Sequence, residues 1–75
     1  MATSPPIAAL AVFVAAARAE SFRAAAGQLS VTPGAVSRRI RQLETRLGTP
    51  LFERRSQGVA LNAHGQTLLD AIAPN

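Results

Sequence analysis

Residues 21–48 read SFRAAAGQLSVTPGAVSRRIRQLETRLG, and this stretch decides the fold. Ser21 supplies a hydroxyl that can cap free helix N–H groups, and Phe22, Ala25, Ala26 and Leu29 follow at i, i+3, i+4 and i+7. The spacing predicts a short helix. Ala24-Ala25-Ala26-Gly27 leaves that helix almost without side-chain bulk, so a second helix can cross it closely. After Ser30-Val31, the pair Thr32-Pro33 reads as an N-cap followed by proline in the first turn. Val36, Ile40, Leu43 and Leu47 then form one apolar stripe until Gly48-Thr49-Pro50 stops it. Two helices joined by a turn of a few residues make a helix-turn-helix, the second helix running from about Pro33 to Leu47.

On a wheel of about 100° per residue, Gly34, Arg38, Arg41 and Thr45 lie opposite the apolar stripe, with Ser37, Arg39 and Gln42 on its flanks. One face packs and the other presents guanidinium groups. Glu44 sits beside the apolar edge, three residues beyond Arg41, and is expected to pair with Arg41 or with a residue of another helix.

Upstream, Ser4-Pro5-Pro6 is a helix-start signal, and Ile7, Leu10, Phe13, Val14 and Ala17 recur at helical spacing as a buried stripe. The stretch Ile7 to Ala19 also resembles the apolar region and cleavage site of a secretory signal. Nothing basic precedes it except the amino terminus, and it completes a helical domain, so export is not the expectation. It is too short to span a bilayer, and no membrane association is expected.

Downstream the pattern changes to two short runs, Leu51 to Arg55 and Val59 to Leu61, separated by Ser56-Gln57-Gly58, which predicts a β-hairpin. Asn62 can cap a last helix with Gly65, Leu68, Leu69 and Ile72 on one side, ending at Pro74. The expected fold is therefore mainly α: a winged helix-turn-helix with a three-helix core and a short hairpin wing over residues 1–61. Residues 62–75 begin a linker helix.

A chain of 75 residues buries only about 60% of its unfolded surface, too little for a ligand cavity of its own. The hydrophobic fraction is 48% but aromatics are only 4%, so the core is built from thin, alanine-rich helices. Eight basic residues, all arginine, stand against four acidic ones, a net charge of +4 that suits an anionic partner. GC-rich coding also favours arginine and alanine, so composition alone does not name the partner.

There is no cysteine, and the single histidine, His64, cannot build a zinc site alone. His64 is expected to be an exposed polar residue of the last helix. The sequence holds no phosphate-binding glycine loop, no carboxylate pair at useful spacing and no nucleophile with a visible base. No enzyme activity, cofactor or metal is expected.

The major groove of duplex DNA admits one α-helix and shows base edges that arginine can read through two parallel hydrogen bonds. The helix from Pro33 fits that task, with its N-terminal turn and the hydroxyls of Thr32 and Ser37 toward phosphate and with Arg38 and Arg41 reaching bases or phosphates. Arg54 and Arg55, beside the Ser-Gln-Gly tip, make the wing over residues 52–59 a second contact, on the backbone or in a narrow minor groove. The rival reading is a winged helix used for protein contact, its arginine face meeting an acidic partner.

The residues Ser21-Phe22, Ala25-Ala26, Leu29, Val31, Ala35-Val36-Ser37-Arg38, Ile40, Leu43-Glu44, Leu47-Gly48, Pro50-Leu51-Phe52-Glu53-Arg54, Leu61 and Gly65 resemble the N-terminal signature of the LysR-type bacterial transcription regulators. The resemblance covers roughly residues 7–69. It implies sequence-specific binding of double-stranded operator DNA in the bacterial cytoplasm, at the nucleoid, with Thr32, Pro33, Gly34, Ser37 and Arg38 facing the operator.

Four positions depart from the family pattern. Pro33 replaces a polar side chain that is often glutamine, and Gly34 follows it, so base reading at the start of the helix shifts toward Arg38 and Arg41. Gln57 stands at the wing tip where arginine is frequent, so either Arg55 substitutes for it or the minor-groove contact is lost. Asn62 replaces the usual threonine and can cap equally well. The resemblance also implies that the last helix begins a dimerising linker, so self-association of this short chain should be weak. A metabolite-sensing domain would follow that linker, and residues 1–75 contain no effector site. The chain is expected to be a fragment of a longer regulator, with a stand-alone domain as the alternative.

Overall fold

A computed structural model describes residues 7–73, leaving aside the side chain of Ile7. The cap expected at Ser4-Pro5-Pro6, the stop expected at Pro74 and the burial expected of Ile7 lie outside what is described. The chain runs α1 (Ile7–Ala19), α2 (Phe22–Leu29), α3 (Pro33–Leu47), β1 (Phe52–Arg55), β2 (Gly58–Leu61) and α4 (Ala63–Ile72).

Each helix after the first starts where a side chain can accept a free amide. Ser21 accepts from Ala24 at 3.0 Å, Thr32 from Ala35 at 3.1 Å and Asn62 from Gly65 at 2.8 Å. Helix α2 ends at Ser30, which is left-handed at φ 58. Helix α3 ends at Gly48, φ 74, whose amide donates to the Glu44 carbonyl at 2.8 Å. Only Ser30, Val31 and Thr32 separate α2 from α3, which fixes the helix-turn-helix.

Phe13, Val36 and Leu51 are the largest side chains fully enclosed, one each from α1, α3 and the segment leading into β1. Ala16, Ala25 and Ala26 let the helices approach around them, as thin side chains must for so few aromatic residues. Of the small residues in α2, only Ala25 and Ala26 sit in the crossing, while Ala24 and Gly27 are exposed. The three phenylalanines join helices to wing: Phe52 meets Phe13 and Phe22 edge-on, with ring centroids 5.6 and 5.4 Å apart.

The α1 stripe differs from its expectation. Ala9, Val12, Phe13 and Ala16 are buried, Leu10 and Val14 only partly, because α1 is apolar on nearly every side and periodicity alone cannot pick its inner face. Leu47 and Ile72 lie on the expected apolar stripes but are 46% and 38% exposed, since each ends a helix beyond the reach of the core.

The strands pair antiparallel, with Phe52 opposite Leu61 and Arg54 opposite Val59. The link is shorter than expected, Ser56-Gln57, with Gly58 at φ 101 opening β2. The register runs one-to-one from Arg55 opposite Gly58 to Phe52 opposite Leu61, so the two strands are joined by a two-residue connection. A methyl group at Gly58 would overlap the carbonyl oxygen of Glu20, and the next amide, of Val59, donates to that same oxygen at 3.1 Å. The wing is thus seated on the α1–α2 elbow.

Helix α4 is tied down at its start. The Asn62 amide donates to the Leu51 carbonyl at 3.0 Å, the Asn62 side-chain amide donates to the Pro50 carbonyl at 2.9 Å, and Gly65 is buried against Leu51. Among the described residues no helix is long and apolar enough to cross a membrane.

Candidate nucleic-acid interface

The exposed face of α3 is assembled by its own amphipathicity: with Val36, Ile40 and Leu43 committed to the core, Gly34, Arg38, Arg41 and Thr45 must face outward, and all four are exposed. Thr32 and Pro33 are exposed at its first turn, and Ser37 is half-buried on the flank. A Cβ at Gly34 would meet nothing closer than the Thr32 hydroxyl at 4.0 Å, so the start of α3 presents almost bare backbone. The Thr32 oxygen already accepts the Ala35 amide, which leaves its O–H as the group free to donate outward.

Among the described residues neither Arg38 nor Arg41 has an ion-pair partner. Contrary to expectation, Glu44 pairs neither with Arg41 nor with a residue of another helix among the described residues; its Oε2 accepts the amide of Leu51 at 2.8 Å. The competing donor is a backbone N–H in the loop that starts the wing, a partner that helix periodicity cannot reveal.

A cleft separates α3 from the wing. Phe22, Ile40, Phe52 and Val59 line its apolar part, and Ser37, Arg41, Glu44, Glu53 and Arg54 its polar part. Three of the residues singled out from sequence, Ser37, Arg41 and Arg54, therefore come together across one gap. Arg54 and Arg55 do not form a single basic patch. Successive strand residues point to opposite faces, so Arg54 shares the face of Phe52 and Val59, while Arg55 lies on the other face with Glu53. There Arg55 approaches Glu53 at 3.4 Å, and with Gln57 it lines a second hollow beside Glu20.

Three contributors were not legible as such in the sequence: Glu20 through its backbone carbonyl, Glu44 through Leu51, and Asn62 through Pro50. A signal for the last existed, since asparagine carries an amine as well as an oxygen and can donate while it caps. His64 is exposed in the first turn of α4, as expected. Among the described residues no cluster of His, Cys, Asp or Glu could hold a metal ion.

A compact three-helix core, a close α2–α3 crossing, an outward arginine face and a two-strand wing define a winged helix-turn-helix. The profile of the bacterial regulatory helix-turn-helix proteins of the lysR family matches residues 7–66. The chain belongs to this family.

The chain is 49% identical over 70 residues to an uncharacterized HTH-type transcriptional regulator, y4mQ, of Sinorhizobium fredii (strain NBRC 101917 / NGR234), covering 93% of this chain and 24% of the relative. It is 51% identical over 63 residues to the glycine cleavage system transcriptional activator of Escherichia coli (strain K12), covering 84% of this chain and 21% of the relative. It thus spans about a quarter or less of the length of these curated relatives.

Among solved structures, a CbnR_DBD–DNA complex superposes with a TM-score of 0.82 at 36% identity, covering 85% of this chain and 74% of that one. A BenM_DBD/catB site 1 DNA complex gives 0.82 at 34% identity, covering 87% and 70%.

Proposed function

We propose that this chain binds double-stranded DNA sequence-specifically in the control of bacterial transcription, with α3 in the major groove and the wing on the backbone or in the minor groove. The observation that carries the proposal is the outward face of α3, where Arg38 and Arg41 are exposed and, among the described residues, without an ion-pair partner, while the opposite face is spent on the core. Two family members of the same fold are solved as complexes with DNA. In this reading Thr32, Gly34 and Ser37 sit at phosphates near the helix N-terminus beside Pro33, Arg38 and Arg41 read or clamp the groove, and Arg54, Arg55 and Gln57 serve the wing. The role is binding, not catalysis.

Residues 1–61 form the reading head in this proposal, and residues 62–75 begin the linker helix through which the longer regulator pairs with a second copy. The short helix α4 gives the isolated chain little surface for pairing. In this proposal the protein acts in the bacterial cytoplasm, at the nucleoid, where operator DNA lies.

Selection of bound fragments from a random duplex library tests the proposal. An enriched sequence, bound with a steep loss of affinity in salt, is the expected result, because each neutralised phosphate contributes a slope of about −0.9. Binding with no preference among duplexes, or none at all, would favour the rival reading of an acidic protein partner.

A further inference from the structure

The cleft between α3 and the wing carries a carboxylate on a surface proposed to meet phosphates. Of the four acidic residues, Glu20, Glu53 and Asp70 are exposed and only Glu44 is half-buried. Glu44 lines the cleft together with Arg41 and Arg54, yet its Oε2 is taken by the Leu51 amide at 2.8 Å, across seven residues of chain.

Leu51 is held at both ends. Its amide goes to Glu44, its carbonyl accepts the Asn62 amide at 3.0 Å, and its side chain is 1% exposed. From Leu51 the chain runs extended into β1, and Arg54 lies three residues on, roughly 10 Å of strand at about 3.3 Å per residue. A rotation of the backbone at Leu51 is therefore carried along a stiff lever to Arg54. Losing the acceptor would leave a part-buried N–H unpaired, and the chain would shift to reach water.

We infer that Glu44 is a positioning residue for the wing: its carboxylate locks the start of β1 to α3, which sets Arg54 across the cleft from Arg41. The inference rests on the DNA-binding reading above.

The test compares duplex affinity against salt for the wild-type chain, Arg54→Ala, Glu44→Ala and Glu44→Gln, and for Arg54→Ala in each Glu44 background, with Arg38→Ala as control. In the wild type, Arg54→Ala should reduce the log–log slope by about 0.9, one phosphate. Glu44→Ala should already lack that increment, so that adding Arg54→Ala changes nothing, while Arg38→Ala still weakens binding by its wild-type factor. Glu44→Gln keeps an acceptor oxygen and should keep both the slope and the Arg54 effect.

Should Glu44→Ala fail to fold, Glu44→Asp, which keeps the charge but falls one methylene short, takes its place. An Arg54→Ala effect equal in the wild type and in Glu44→Ala would overturn the inference. So would Glu44→Gln losing the slope as Glu44→Ala does. A wild-type chain with no duplex binding would instead overturn the reading on which the inference stands.

Discussion

The carbonyl oxygen of Glu20, in the elbow between α1 and α2, accepts the amide of Val59 at 3.1 Å, and this bond fastens the second wing strand to the helical body. Glu20 is left-handed at φ 54, so the elbow is bent toward the wing at a local conformational cost that the contact offsets. The wing is therefore held at β2 by the elbow as well as at the entry to β1 by α3. In the proposed DNA-binding role, a basic hairpin with fixed ends would meet the backbone already oriented, which spares the entropy of ordering it on binding.

Gly58 is the point of closest approach in that seat. Gly58→Ala should lower stability by about 1–3 kcal/mol, because the methyl meets the Glu20 carbonyl and φ 101 suits only glycine. Thermal unfolding followed by circular dichroism checks this, with a drop of about 4–8 °C for each kcal/mol expected in a domain of this size.

Gly65 and Gly27 should respond in opposite directions to the same change. A methyl at Gly65 would overlap the Leu51 carbonyl and press on Leu61 Cδ2 at 2.7 Å, so Gly65→Ala should destabilise by about 1–3 kcal/mol. Gly27 has open space around it within α2, so Gly27→Ala should stabilise by about 0.5–1 kcal/mol through helix propensity. Urea unfolding of both variants against the wild type measures the pair.

Thr32 caps α3, so Thr32→Ala should cost about 1 kcal/mol of stability while Thr32→Ser restores most of it. Equal midpoints in denaturant for the alanine and serine variants would contradict the cap.

How much of this was readable from sequence depends on the range of each interaction. Local chemistry was legible: Thr32-Pro33 and Gly48 bound α3, Ser21 opens α2, and Asn62 opens α4, because caps act within a turn. The arginine face of α3 followed from its stripe for the same reason. The inner face of α1 was not legible, since a helix apolar on nearly every side gives little contrast between its faces. The opposed directions of Arg54 and Arg55 follow once the strand is known, by simple alternation. The bonds from Glu44 to Leu51 and from Val59 to Glu20, and the need for glycine at position 58, depend on how distant segments meet, which local spacing does not encode.

Glu53 should oppose DNA binding. It approaches Arg55 at 3.4 Å with both side chains more than half exposed, a pair that contributes little to folding. Glu53→Gln should leave the melting temperature within experimental error and tighten binding to all duplexes alike at low salt, by releasing Arg55 and removing a negative charge from the wing. Anisotropy titrations with cognate and random duplex would show it, and unchanged affinity at low salt would argue against a wing contact through Arg55.

The outward arginines Arg38 and Arg41 of α3 carry the proposed contact with DNA. Titration of an enriched duplex with the wild type, Arg38→Ala, Arg41→Ala and the double variant at one fixed salt concentration addresses them directly. A base-reading arginine should cost about 1–3 kcal/mol when truncated and relax preference at its base pair, and a phosphate-binding one should weaken all sequences alike. The double variant, folded as judged by its helical signal, should lose most of its affinity. A folded double variant that binds enriched and random duplex as tightly as the wild type would contradict the placement of α3 in the groove.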